Sequence, residues 1–331
     1  MSPEQPEEPA AENVDPIAWV IQNGGDVYYE GEVEWHDNGD LDVISPEELD
    51  SSRSANGRKV VTVCCGSDVS DLTPLAMLEG IESLHINGTQ VTDLSPIAGQ
   101  VSLKHVDMVG TLISDISPLA GAKNLAYLRM INTEVSDLSP IAGMRNLRQL
   151  HVSSPISDLT PLHDLVNLEW LYIHSNEITD IGPIRGLERL EDLELSGEYS
   201  DLSPLSALRH LRYLRLRSRQ IRDLSPLSQI TSLRRLNLNN TQVEDISPLA
   251  TLTHLETLHL QDTLVTDLTP LYGLTRLSTL GIGKMDPNAP DMEQQIVELK
   301  KRLPECNVLG HPLHLTKQRL RDLGESEPDS D

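Results

Sequence analysis

Ten aspartates recur through the chain: Asp71, Asp93, Asp115, Asp137, Asp158, Asp180, Asp201, Asp223, Asp245 and Asp267. Each stands 21 or 22 residues from the next and three residues before a proline, from Pro74 to Pro270. A periodic row of carboxylates invites a calcium or catalytic ladder. The surrounding phrase, (Ser/Thr)-Asp-Leu-Ser-Pro-Leu, argues for a turn: an Asp two residues before a Ser-Pro pair accepts hydrogen bonds from backbone N–H groups. Ser139 is then expected to cap a short helix whose first residue is Pro140. A second constellation is His85, His105 and Asp107, which fall in adjacent repeats at a spacing that suits zinc. His-x-x-x-His, Cys-x-x-Cys, a Gly-rich phosphate loop and a serine nucleophile elbow are all missing. The expectation is therefore a chain that is not an enzyme and needs no cofactor or metal, with a metal or hydrolytic site at His85, His105 and Asp107 as the alternative.

The three cysteines offer little more. Cys64 and Cys65 are adjacent, and Cys306 lies near the other end of the repeats. An odd count without a pairing pattern reads as reduced thiols in a reducing compartment. The opening MSPEQPEEPAAENVDP has neither a basic region nor an apolar core for export, and no stretch approaches the ~20 apolar residues of a membrane span. A cytoplasmic location without membrane contact is expected.

What positions these residues is the repeat itself. In Leu125-Ala-Tyr-Leu128-Arg-Met130-Ile-Asn-Thr133-Glu-Val135, apolar residues alternate with period two, so Leu128 and Met130 point inward and Tyr127, Arg129 and Ile131 outward. Ile141, Met144 and Leu147 then fit one apolar face of a short helical or 3-10 segment. A period near 22 denotes stacked supersecondary units, each burying its apolar face against the next. The chain contains no Phe, as befits a core of identical aliphatic layers.

The pattern over residues 60–283 resembles the internalin-type leucine-rich repeats of bacteria, written LSPLAGLxxLxxLxLxxTxVSD. The resemblance implies an α/β leucine-rich repeat solenoid, curved, with parallel strands on the concave face and short helices or 3-10 turns on the convex side. One column departs from the family, which mostly carries Asn there. This chain has Thr89, Thr111, Thr133, Pro155, Asn176, Glu198, Arg219, Thr241 and Thr263, so the middle repeats are irregular.

The ends read as caps. Residues 1–14 form an acidic, disordered leader. Residues 15–58 form an N-terminal cap: a helix opened by Asp15-Pro16 and ended by Gly24-Gly25, strands over Val27–Trp35 and Leu41–Ile44 joined by the Asn38-Gly39 turn, and a polar loop over 46–58. Repeats occupy 59–283. A C-terminal cap over 284–312 has a loop at Pro287–Pro290, a helix capped by Asp291 with Ile296, Leu299 and Leu303 as its apolar stripe, and a last strand at Cys306–Leu309. The tail over 313–331 is expected to be mostly disordered.

Register assigns the outward columns. Four of the ten Tyr and Trp residues fall there: Tyr127, Trp170, Tyr172 and Tyr213. These types, with Arg, commonly anchor interfaces. Between Arg209 and Arg235 stand eight arginines and one acid, Asp223, in a chain of net charge −25. Register pairs Glu191 with Arg212, Glu194 with Arg215 and Glu198 with Arg219, leaving Arg217, Arg222 and Arg235 to meet an acidic partner. The overall acidity argues against a nucleic acid or anionic lipid partner. The expectation is a monomeric protein-binding scaffold whose concave face presents Tyr127, Arg129, His151, Trp170, Tyr172, His174, Tyr213, Arg215, Arg217 and Arg235. A structural spacer whose termini do the binding is the remaining alternative.

Overall fold

The structure, a computed structural model, describes residues 15–30, 32–35, 41–43, 59–283 and 292–310. The expected leader, the Asn38-Gly39 turn, the loops over 46–58 and 287–290, the Asp291 cap and the tail over 313–331 lie outside the described residues. The chain divides into two compact units, residues 1–146 and 147–331.

In the first unit, helix α1 (Pro16–Gln22) begins as its sequence requires. Asp15 Oδ1 accepts from the N–H groups of Ile17 at 3.0 Å and Ala18 at 3.4 Å, and Pro16 takes the first turn, where its missing N–H costs nothing. Strand β1 (Asp26–Tyr29) lies antiparallel to β4 (Val60–Cys64), while β2 (Val33–Trp35) and β3 (Leu41–Val43) pair separately. The expected single strand over Val27–Trp35 is thus broken in two. The chain turns between them: the Glu32 N–H donates to the Tyr29 carbonyl at 3.0 Å, and the Tyr29 N–H donates to the Glu32 carboxylate at 2.9 Å. The physical reason is the open edge of β4, whose backbone groups β1 satisfies. Strands β5 (Ser83–His85), β6 (His105–Asp107) and β7 (Tyr127–Ile131) then follow β4 in parallel.

The second unit contains β8 (Gln149–Ser153), β9 (Trp170–His174), β10 (Asp192–Ser196), β11 (Tyr213–Arg217), β12 (Arg235–Asn237), β13 (Thr257–His259), β14 (Thr279–Gly281) and β15 (Asn307–Leu309), each parallel to its neighbour. In-register partners place Leu150, Leu171, Leu193, Leu214, Leu236, Leu258 and Leu280 in one inward column, all buried. Helix α2 (Met292–Arg302) closes the stack with Ile296 and Leu299 buried. The Gln295 side chain ties it to the last repeat, accepting from the Leu268 N–H at 2.6 Å and donating to the Thr266 carbonyl at 3.0 Å.

At its aspartate every repeat makes the same backbone contact. All ten repeat aspartates accept the N–H of the residue two positions later, at 2.7–2.8 Å. The serine expected to cap a helix does something else: Ser139 donates its hydroxyl back to Asp137 Oδ2 at 2.7 Å, and the segment Ser139–Ile141 is 3-10, with no side-chain cap. A three-residue 3-10 turn has few free N–H groups to cap, whereas the Asp carboxylate is a stronger acceptor for that hydroxyl. These bonds from the hydroxyl and N–H of the following Ser or Thr hold the Asp93, Asp158, Asp201, Asp223 and Asp245 carboxyls below the usual carboxylate range. In the Thr column, Thr89, Thr111, Thr241 and Thr263 each donate to the carbonyl three residues earlier, at 2.7–2.9 Å.

Candidate functional site

Alternation along β8–β13 fixes which side chains leave the sheet. With the leucine column inward, the outward positions are Gln149, His151, Ser153, Trp170, Tyr172, His174, Asp192, Glu194, Ser196, Tyr213, Arg215, Arg217, Arg235, Asn237, Thr257 and His259. Neighbouring strands bring these into contact. The His151 and Tyr172 rings pack with centroids 4.4 Å apart, and the Arg235 guanidinium lies 5.1 Å above the centre of the Tyr213 ring. Glu194 is the hub. Its Oε1 accepts from His174 Nε2 at 2.8 Å, its Oε2 from Arg215 Nη1 at 2.9 Å, and Arg217 Nη2 approaches Oε1 at 3.6 Å. Around Tyr172, Glu194, Tyr213, Arg215, Arg235 and His259 the face forms a recess of about 420 Å³.

Two carboxylates on β10 are driven in opposite directions. Burial lifts the Asp192 carboxyl above its ordinary range, with the Tyr172 hydroxyl bond opposing and the Glu194 charge adding. Burial also acts on Glu194, but the His174 hydrogen bond and the Arg215 guanidinium outweigh it and hold that carboxyl low. Burial and the Asp192 charge push the Tyr172 phenol up, so its hydroxyl remains a donor at neutral pH.

Of the expected site residues, His151, Trp170, Tyr172, His174, Tyr213, Arg215, Arg217 and Arg235 share this face of the second unit. Tyr127 and Arg129 belong to the first unit. Tyr127 is only 7% exposed and offers no ring to a partner, because an outward ring packs down onto its neighbours; the ring of His105 on the adjacent strand lies 6.3 Å away. Arg129 pairs with Asp107 at 3.5 Å. The predicted pairs Glu191–Arg212 and Glu194–Arg215 form, at 3.1 and 2.9 Å. Glu198 instead accepts from the Gln220 amide at 3.1 Å, and Arg217 is not left over but reaches diagonally to Glu194. Column-by-column pairing misses such contacts because a long side chain spans to the diagonal neighbour. The expected site residues also leave out Asp192, Glu194, Asn237, Thr257 and His259, although the same register places them on the face.

His85, His105 and Asp107 lie on the adjacent strands β5 and β6. His85 lies opposite Asp107 and His105 opposite Ser83. His85 Nε2 is hydrogen-bonded to the Ser83 hydroxyl at 2.8 Å, and Asp107 is paired with Arg129. Burial, with the neighbouring His85 and Lys104 charges, lowers His105 to about 4 against the pull of Glu82. Among the described residues no group of three or more His, Cys, Asp or Glu is arranged to hold a metal. Burial raises the Cys64 and Cys65 thiols to about 11 and about 12, so neither is a thiolate at neutral pH.

A family model for leucine-rich repeats in two copies matches residues 166–210 and 209–251. Among solved structures, the internalin inlF of Listeria monocytogenes is 28% identical, with 81% of this chain and 76% of that chain covered at a TM-score of 0.65. A leucine-rich repeat protein of Leptospira interrogans shares the fold at 16% identity, covering 74% and 82% of the two chains at a TM-score of 0.53. So does a chain in the octameric complex of latrophilin 3, Unc5D and FLRT2, at 18% identity, 76% of each chain and a TM-score of 0.53. No curated protein matches the chain. The protein is a leucine-rich repeat solenoid. More narrowly, its repeats are similar to those of the bacterial internalins, of which inlF is one. No helix among the described residues is long and apolar enough to cross a membrane.

Proposed function

We propose that this protein is a non-enzymatic, monomeric scaffold that binds a protein partner through the strand face of β8–β13, in a reducing, cytoplasmic setting. The observation that carries this is the preordered array on that face. Tyr172 is held by Asp192 and His151, Tyr213 lies under Arg235, and Glu194 fixes His174 and Arg215. Side chains already immobilised lose little entropy on binding, and aromatic and Arg anchors beside a recess are what hot spots consist of. The octameric complex that includes FLRT2 is an instance of this fold within a protein assembly. Protonated, unpaired thiols at Cys64, Cys65 and Cys306 suit the reducing setting.

The test is capture of interacting proteins by the full chain and by a Trp170→Ala, Tyr172→Ala double variant of unchanged circular dichroism. Loss of at least about tenfold in a specific partner's affinity is expected, the scale of one hot-spot cluster. Unchanged capture overturns the assignment of the face. Loss of capture on trimming residues 1–14 and 318–331 instead supports a spacer with binding termini.

A further inference from the structure

The turns that follow the strands of the second unit take two forms. In the regular form, the residue four past the inward leucine sits in the left-handed region: Asn240 at φ 62° and Asp262 at φ 56°. Asn and Asp tolerate that conformation at modest cost. After β8 and β9 the same place is taken by Ser154 and Ser175, and neither has positive φ. The chain therefore leaves these strands by another path, and β8–β11 run to five residues where β12–β14 stop at three.

At the carboxyl ends of β8–β11 lies a recess of about 490 Å³, lined by Ser153, Ser154, His174, Ser196 and Arg217, with Glu177 the one carboxylate in its lining. Ser153, His174, Ser196 and Arg217 form one in-register row across four strands. The Ser154 hydroxyl is buried and has no hydrogen-bond partner among the described residues. A buried hydroxyl without a partner is a costly arrangement that a ligand can relieve.

Charge complements the donors. One carboxylate, Glu194, serves two guanidinium groups and His174. Arg215 has the short contact. Arg217 has the long one, at 3.6 Å, with its side chain 49% exposed. Its positive charge is the less spent of the two guanidinium groups, and it lines the recess.

We propose that this recess recognises an oxyanion carried on a side chain of the partner protein, with Arg217 supplying the charge and the serine hydroxyls the hydrogen bonds. A phosphoryl group brings three acceptor oxygens and nearly two charges to these donors, against two oxygens and one charge for a carboxylate. The inference deepens the binding role proposed for the strand face and rests on it. It places the modified or acidic residue of the partner at the strand ends while the aromatic anchors lie along the strands.

Calorimetric titration of the full chain with inorganic phosphate and with acetate, at matched low ionic strength, tests it. Saturable phosphate binding on the order of 1 mM is expected. Arg217→Ala should weaken it about tenfold, the effect of losing one charge-assisted contact. Arg222→Ala, which removes an equal charge elsewhere, should leave it unchanged. Tighter acetate than phosphate binding assigns the group as a carboxylate. No saturation by either anion, an Arg217→Ala variant within about twofold of the parent, or an equal loss in Arg222→Ala overturns the proposal. These outcomes are independent of partner capture. Capture lost in the Trp170→Ala, Tyr172→Ala variant with no anion binding leaves the face and removes the recess. Anion binding with capture intact does the reverse.

Discussion

His174 and Glu194 sit on adjacent strands and share a 2.8 Å hydrogen bond from Nε2 to Oε1, while Arg215 holds the other carboxylate oxygen at 2.9 Å. The Glu194 side chain is only 11% exposed, so its charge is tolerable only because these donors surround it. Glu194→Ala leaves two half-exposed guanidinium groups facing each other. A loss of about 1–2 kcal/mol is expected, with Glu194→Gln intermediate because its amide oxygen still accepts one bond. Urea unfolding of both variants and of Arg215→Ala, combined in a double-mutant cycle, measures the coupling. A coupling indistinguishable from zero would show that the hub adds no stability.

Tyr199 stands just before the second 21-residue step, at Asp201. Its ring is 1% exposed and its hydroxyl donates to the Leu195 carbonyl at 2.9 Å. A Cβ at Gly197 would lie 2.9 Å from this ring and 2.6 Å from the Ile178 carbonyl oxygen, so the shortened turn closes over the tyrosine. Tyr199→Ala should cost about 3–5 kcal/mol through the cavity it leaves, and Tyr199→Phe about 1 kcal/mol through the lost bond. Chemical denaturation of the two variants checks the ratio. Equal losses would mean that the hydroxyl, not the ring, fills the role.

His105 gives the first unit a pH dependence. Its folded-state value, lowered to about 4 mainly by burial, lies below the ~6.5 of an unfolded histidine. The unfolded chain therefore binds the extra proton first, and stability is lost as pH falls from about 6.5 towards 4. The expected loss is roughly 1–3 kcal/mol. His105→Gln should flatten that limb of the curve. Melting temperatures at pH 7 and pH 5 for both proteins measure it, and an equal fall in the two would exclude His105 as the source.

The repeat determined the architecture before any coordinate was known. Ten aspartates at a 21–22-residue step, with Leu at period two between them, leave one way to bury the apolar residues: parallel strands stacked in register. Turn chemistry was equally local, because an Asp side chain reaches the N–H two residues on whatever lies beyond. The outward columns followed from the same register, which is why His151, Trp170, Tyr172 and Tyr213 were named correctly as neighbours on one sheet.

Tertiary structure decided what register alone leaves open. Side chains of five or six bonds choose among lateral and diagonal partners, so the place of Arg217 on Glu194 and of Arg235 on Tyr213 depends on rotamers and burial rather than spacing. Whether an outward ring stays open or folds onto its neighbours is likewise a packing outcome, and Tyr127 folds down. The irregular column at Pro155, Asn176, Glu198 and Arg219 was visible as a break in a pattern. Only the backbone path showed what accompanies it: no left-handed residue follows β8 or β9, and a serine-lined recess lies there beside Arg217.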